Sequence, residues 1–387
     1  MKYELMDLGL ENAVIKVIGV GGGGGNAVNH MVNSHIDGVE FVCANTDAQA
    51  LRRLDVDTVI QLGAELTKGL GAGTNPDVGK QAAEENKDLI RDVVEGANMI
   101  FLTAGMGGGT GTGAIPVIAE IAKELNILTV AVVTKPFDFE GKVKTGVAEE
   151  GIAELEKYVD SLIIIPNQKL LPVLGGNVTI DNAFGAANDV LLDAVQGITE
   201  LITHPGLINV DFADVKTVMS GMGAAIMGTG TASGDNRARE AAEKAIACPL
   251  LDDIDLQGAR GILVNISAAE MGISEFDEVG NIVHAFASDD AVVKIGMAKD
   301  ETLGDEIKVT VVATGMGGGK KAVSKPVKLV PAAAVAIGGN DYSSLDEPAI
   351  GRKNANENRE TRFGVQSKTN GDMEYLDIPA FLRRQAD

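Results

Sequence analysis

The amino-acid sequence predicts an α/β fold: a parallel sheet covered by helices, a long central helix, a second, smaller α/β domain, and a disordered tail. Short apolar runs without polar alternation recur between helical patterns in the first part of the chain. Strands buried on both faces read this way. One helical segment, residues 180–203, is much longer than its neighbours. From about Lys320 onward apolar periodicity is lost.

In chain order, residues 13–20 form an apolar run ending in glycines, and residues 26–34 read as a helix. Strand runs follow at 39–44, 98–104, 127–134 and 161–165, with a helix over about 113–125. Buried strands separated by helices pair in parallel. In the long segment Val190, Leu191, Ala194, Val195 and Ile198 recur near helical spacing, and Pro205 stops the pattern. Beyond it, helical stretches at 235–246 and 274–287 come between strand-like runs at 261–267, 291–295 and 307–313. The implied division is a flexible N-terminus (1–12), a first domain (13–178), the central helix (179–203), a second domain (204–318), a linker (319–372) and a terminal peptide (373–387). The linker, rich in Ala, Pro, Asn, Lys and Glu, lacks the apolar pattern needed to offset its ordering entropy. The terminal peptide regains Tyr375, Leu376, Ile378, Phe381 and Leu382, a cluster of the kind that docks on a partner.

A chain of 387 residues with 45% hydrophobic content can build two cores of ordinary size. Its formal net charge of −22 repels phosphate backbones and anionic membranes. Nucleic acid is therefore not an expected partner. No apolar stretch reaches ~18 residues without polar breaks, so direct membrane insertion is not expected either. Residues 1–10 show no basic region followed by an apolar run, and the expected location is the cytoplasm. Cys43 and Cys248 lie far apart in apolar surroundings and read as buried free thiols. His30, His35, His204 and His284 never stand at ligand spacing with cysteine, so no protein-bound metal is expected.

Glycine carries the chemical signal. The run Gly19-Val20-Gly21-Gly22-Gly23-Gly24-Gly25-Asn26 joins the first strand to the first helix. Glycines let the backbone approach an anion, and a helix N-terminus adds partial positive charge. Alone, this run also satisfies a dinucleotide-binding pattern and leaves a nicotinamide- or flavin-dependent oxidoreductase open. A second run, Gly105-Met106-Gly107-Gly108-Gly109-Thr110-Gly111-Thr112-Gly113, follows another strand and opens another helix. Two such turns at the C-terminal ends of strands in one sheet converge on one ligand, and a dinucleotide fold does not need the second. Residues 73–80 miss the P-loop by one residue, with Gln81 where Ser or Thr would meet magnesium. A third string, Gly315-Met316-Gly317-Gly318-Gly319-Lys320, leads into the linker rather than a helix and reads as a domain-end hinge.

The string from Gly107 to Gly113 is the tubulin signature. With Asn45-Thr46-Asp47, Gly71-Ala72-Gly73-Thr74-Asn75-Pro76, Lys135-Pro136-Phe137-Asp138-Phe139-Glu140-Gly141, Phe184-Gly185-Ala186-Ala187-Asn188-Asp189 and Asn209-Val210-Asp211-Phe212-Ala213-Asp214, the sequence resembles the FtsZ family of bacterial cell-division GTPases, relatives of tubulin. The resemblance covers residues ~12–318 and the terminal peptide. It implies a tubulin-like GTPase domain that binds GTP or GDP. Mg2+ would be bound through the nucleotide, with K+ a candidate monovalent ion. By resemblance, Gly22, Gly23, Gly24, Gly25 and Asn26, with Gly109, Thr110 and Gly111, hold the α- and β-phosphates. Ala72, Gly73 and Thr74 face the γ-phosphate and its magnesium. Glu140 bonds the ribose and Phe184 stacks on the base. Asp189 accepts from guanine N1 and N2 hydrogens, assisted by Asn167 and Asn188. Lys144 stands where the family often has Arg, keeping the charge without the planar fork.

Nothing in the first domain reads as a base beside a γ-phosphate. Asp211 and Asp214 stand at i and i+3, where a helix start places both carboxylates on one face. Helix capping alone explains that spacing, and leaves a non-catalytic GTP-dependent scaffold open. The resemblance instead implies a loop that enters the nucleotide pocket of the next subunit, where Asp211 and Asp214, with Asn209 nearby, orient the attacking water. The chain's partners would then be itself, in head-to-tail filaments forming a division ring at mid-cell, assembly regulators, and FtsA- and ZipA-type membrane tethers through the terminal peptide.

Overall fold

The computed structural model describes residues 13–175, 178–203, 208–250, 259–288 and 290–316, all within one compact unit that extends to Ala322. The N-terminus (1–12), the linker, the terminal peptide, Pro205 and residues 317–320 of the third glycine string lie outside the described residues.

In chain order the first part contains β1 (Ile15–Val20), α1 (Gly21–Asn33), β2 (Val39–Asn45), α2 (Ala48–Leu51), β3 (Thr58–Gln61), α3 (Ala64–Thr67), α4 (Pro76–Glu85), α5 (Lys87–Val94), β4 (Met99–Gly105) and α6 (Gly109–Glu124). It continues with β5 (Leu128–Lys135), α7 (Lys142–Leu155), β6 (Ser161–Pro166), α8 (Leu171–Leu174) and α9 (Ile180–Thr203). The second part contains α10 (Phe212–Met219), β7 (Gly223–Ser233), α11 (Arg237–Ile246), β8 (Gly261–Ala268), α12 (Ile273–Phe286), β9 (Val292–Lys299) and β10 (Glu306–Thr314).

The strands form one sheet in the order β3-β2-β1-β4-β5-β6-β7-β10-β8-β9. The first six pair in parallel, as continuous apolar runs predict. The sheet passes into the second part where β6 meets β7, from Ser161↔Gly223 to Ile163↔Ala225. There it becomes mixed: β10 runs antiparallel to β7 and β8, and β8 is parallel to β9. One face of the parallel region, with Ile18, Ile100 and Leu102, packs on apolar residues of α4 to α7. The other, with Val17, Phe101 and Val130, packs on α1 and α9 through Val28, Leu191 and Ile198. That core runs on to Leu263 of β8 and Val312 of β10, so α9 serves both parts of the chain.

The first helix begins five residues before the expected residue 26, at Gly21. The glycine run is therefore helix rather than loop, because its lack of side chains lets the helix press against strand backbone. A Cβ on Gly24 would lie 2.3 Å from Thr103 O. The strand β7 carries no signal of its own, being Gly-, Ala- and Thr-rich. It is held by close packing, since a Cβ on Gly230 would lie 2.2 Å from Ala241 O of the alanine-lined α11. Cys43 is buried, and desolvation pushes its pKa up to about 12. Cys248 is a free thiol but only half-buried, against expectation.

Helices α4 and α6 meet backbone to backbone: a Cβ on Gly113 would stand 1.9 Å from Pro76 O, and one on Gly79 2.3 Å from Gly109 O. Gly113→Val is expected to pry α4 from α6 and cost about 2–3 kcal/mol, read as a lower thermal unfolding midpoint. Gly146→Ala, whose Cβ meets nothing within 4 Å, is the control, expected to be neutral or up to about 1 kcal/mol stabilising. An unchanged midpoint in Gly113→Val would contradict the packing described.

Candidate functional site

Strands β1 and β4 lie side by side at the centre of the parallel region, and the chain leaves them toward opposite edges of the sheet. Such a switch point opens a crevice at the carboxyl ends of the strands, where α/β folds bind ligands. A cleft of about 370 Å³ occupies it, with Gly22, Gly23 and Asn26 of α1 along its wall and Gly108, Gly109, Thr110 and Gly111 at the start of α6. The two glycine runs therefore share one cavity, as expected. Cβ atoms on Gly22 or Gly108 would meet nothing within 4 Å. Gly24 and Gly25 do not line the cleft; both are buried, Gly24 against β4 and Gly25 beneath Leu54. Neither α1 nor α6 carries an acidic residue in its first turn, which leaves two unopposed positive helix ends at one cavity. Lys144 is the lone cationic side chain among the lining residues, so anion binding falls mainly on backbone N–H groups.

The loop holding Ala72, Gly73 and Thr74 is clasped to this floor. Gly109 N–H donates to Gly73 O at 2.9 Å, and Asn75 N–H to Ala72 O at 3.2 Å. Asn75 caps α4, its Oδ1 accepting from Asp77 N–H at 3.0 Å. Gly73 lines the cleft, Ala72 is buried behind it, and Thr74 is exposed on the loop. Thr46 and Thr110 share a buried 2.6 Å hydroxyl contact that ties the end of β2 to the start of α6.

At the opposite end, Phe184, Asn188 and Asn167 line the cleft together with Glu140 and Lys144. Phe184 is 40% exposed and meets the buried Phe137 edge-on, with ring centroids 5.3 Å apart. Its free face is thus available for stacking. Asn167 is 3% exposed and its Oδ1 has no hydrogen-bond partner, an unmet acceptor on the cavity wall. Glu140 accepts from Phe137 N–H through Oε1 at 2.9 Å and pairs with Lys144 through Oε2. Asp189 is not among the lining residues; its Oδ1 lies 2.8 Å from His30 Nε2.

Asn209, Asp211 and Asp214 are absent from the cleft lining. They sit past the C-terminal end of α9, whose N-terminal part carries Phe184 and Asn188. From Asn188 to Thr203 the helix axis advances roughly 20 Å. Asp211 is the N-cap of α10 and accepts Asp214 N–H at 2.7 Å. Asp214 is also 2.7 Å from Lys294 Nζ on β9.

Two lining residues lie outside the quoted motifs: Thr134 near the end of β5 and Leu191 on α9. Their place follows from strand order and helix phase. His30 reads as an ordinary helical polar residue, and only the folded proximity of α1 and α9 brings it to Asp189.

The family model described as "Tubulin/FtsZ family, GTPase domain" matches residues 14–175, and that described as "FtsZ family, C-terminal domain" matches residues 223–317. The cell division protein FtsZ of Coxiella burnetii is 61% identical over 387 residues, covering 99% of both chains. That of Pseudomonas aeruginosa is 56% identical over 398 residues, covering 100% of both. Among solved structures, an empty FtsZ dimer from M. jannaschii superposes with TM-score 0.76 at 43% identity, covering 79% of this chain and 89% of that one. A GDP-bound CetZ1 monomer from Haloferax volcanii, 20% identical, shares the fold with TM-score 0.68 over 78% of this chain and 94% of its own. Matched in both halves and to relatives along nearly its whole length, the chain belongs to the FtsZ family of tubulin-related GTPases.

Proposed function

We propose that the chain binds GTP in the cleft between α1 and α6, polymerises head to tail, and hydrolyses the nucleotide only where a neighbouring subunit supplies Asn209, Asp211 and Asp214. One observation carries this reading. The candidate hydrolytic carboxylates stand beyond the far end of α9 from the cleft, so a single subunit cannot bring them to its own nucleotide. Phosphoryl transfer requires mainly positioning and charge stabilisation. A site divided in this way makes hydrolysis depend on assembly. A head-to-tail contact does not close on itself, so it builds an open filament.

In this reading, N–H groups at the starts of α1 and α6, around Gly22, Gly23, Asn26, Thr110 and Gly111, hold the α- and β-phosphates, while Gly109, whose N–H is given to Gly73 O, fastens the adjoining loop at the phosphates. Gly24 and Gly25 act by packing, letting α1 sit close to β4. The Ala72-Gly73-Thr74 loop meets the γ-phosphate. The exposed Thr74 hydroxyl and adjacent carbonyls are hard oxygen donors of the class Mg2+ accepts, so the loop fits an ion carried by the nucleotide. When bound, that ion would neutralise phosphate charge; K+ is the proposed monovalent companion. Phe184 stacks on the base, and the unmet Asn167 Oδ1 and Asn188 line the base end. Asp189 reaches guanine by leaving His30. Glu140 and Lys144, already paired, meet the ribose side. The second glycine run, sharing the cleft with the first, supports a nucleoside triphosphate over a dinucleotide cofactor. The capping role of Asp211 favours the alternative in which both aspartates are structural only.

The relatives are named as cell division proteins, and the same role in a mid-cell ring is proposed here. Tail tethering to FtsA- and ZipA-type partners rests on the terminal-peptide resemblance. Among the described residues no helix is long and apolar enough to cross a membrane. The domain division at 13–178, 179–203 and 204–318 belongs to the same proposal.

Asp214→Ala is expected to assemble with GTP while hydrolysing it roughly 100-fold more slowly per pelleted subunit. A normal rate in the polymer would favour the capping alternative. Asp189→Ala is expected to weaken GTP binding about ten- to a hundred-fold, the range for hydrogen bonds to a charged group. It should also narrow the preference for GTP over ATP in competition binding; unaltered selectivity would remove Asp189 from base recognition.

A further inference from the structure

The two aspartates of the loop are tied down differently. Asp211 Oδ1 accepts the Asp214 N–H at 2.7 Å, so its carboxylate is committed to the start of α10. Asp214 Oδ1 lies 2.7 Å from Lys294 Nζ. Lys294 belongs to β9, the strand at the end of the sheet beside β8. Two residues on, at the same face of the strand, Gly296 leaves room for the loop that precedes α10. A Cβ there would stand 2.5 Å from Leu201 Cδ2 and 2.8 Å from Val210 Cγ2. Met297 N–H donates to Ile208 O at 3.0 Å, which fixes the loop on the strand. The backbone thus holds loop and strand in register, and within that frame Lys294 Nζ meets the Asp214 carboxylate.

The electrostatics call for such a partner. The chain carries a net charge of −22, and the proposed site brings carboxylates toward a triphosphate. Asp211 stands beside Asp214 with the same sign of charge. Lys294, about a third exposed like Asp214, offers a counter-charge at the surface that would meet the next subunit. A pair this exposed contributes little to folding, so its consequence is expected in hydrolysis rather than stability.

We propose that Lys294 is the positioning residue for Asp214, holding one carboxylate oxygen so that the other orients the water that attacks the neighbouring subunit's γ-phosphate. The inference rests on the split-site reading above. Partial loss of orientation costs rate without removing the reacting group. Lys294→Met is therefore expected to lower GTP hydrolysis per assembled subunit by about ten-fold, short of the roughly 100-fold loss a full ångström of misplacement gives. GTP binding by free subunits is expected to stay unchanged.

The test measures phosphate release per pelleted subunit for the full-length wild type, Lys294→Met, Lys294→Arg, Asp214→Ala and the Lys294→Met/Asp214→Ala double variant. Support requires three results: a slow Lys294→Met, recovery of most of the rate in Lys294→Arg, and a double variant no slower than Asp214→Ala alone. Wild-type hydrolysis in Lys294→Met, or no recovery with Arg, overturns the inference. A double variant slower than Asp214→Ala also overturns it, since Lys294 would then act independently of that carboxylate. If Asp214→Ala itself hydrolyses normally in the polymer, the split-site reading fails instead. Should Lys294→Met not assemble alone, equimolar copolymers with wild type are expected to lose nearly half their rate per subunit; undiminished copolymers would overturn the proposal.

Discussion

Where α1, α4 and α6 converge, no side chain stands between one backbone and the next. Gly24 of α1 lies against Thr103 O of β4, Gly79 of α4 against Gly109 O, and Gly113 of α6 against Pro76 O. Even a methyl group at these positions would overlap a carbonyl. This close approach brings two helix N-termini to a single cleft and fastens the loop of Gly73 to the floor beside them. In an acidic chain whose cleft is lined by one cationic side chain, Lys144, anion binding must come from backbone N–H groups. Glycine in the helices is therefore the constraint on which the cleft depends.

The second constraint is a length. Helix α9 places its N-terminal residues Phe184 and Asn188 at the cleft and its C-terminal residues against the second part of the sheet, with Asn209, Asp211 and Asp214 following it. A straight helix of 24 residues cannot bring its two ends together. Separation of the cleft from the aspartates thus follows from secondary structure itself, and the proposed open head-to-tail arrangement would reunite them between molecules. The ties within each half have local causes. Asp211 serves a helix start, Asp214 meets a lysine from the neighbouring strand, and Phe137 braces Phe184.

Much of this was legible in the sequence, and the reasons are specific. The six parallel strands include five expected apolar runs because buried strands leave an unbroken hydrophobic record. The central helix matches residues 180–203 because its apolar spacing is long and regular. What escaped was built from small residues or from proximity. β7 is held by neighbours rather than bulky side chains, and α1 starts within a glycine run that reads locally as loop. The His30–Asp189 and Lys294–Asp214 contacts join residues 159 and 80 positions apart in the chain, a pairing visible only in three dimensions. Glycines 24 and 25 match the expected motif but are buried away from the cleft, because a motif records residue type and not the side of the helix it occupies.

The central claim is that one subunit's cleft and another's carboxylates together hydrolyse GTP. Phosphate release is measured against protein concentration, with light scattering recorded on the same sample and ATP as control. The split site predicts release that begins at a threshold concentration, rises together with scattering, and occurs with GTP alone. Release per molecule that stays constant down to the lowest concentration would contradict it, placing the hydrolytic groups within a single subunit.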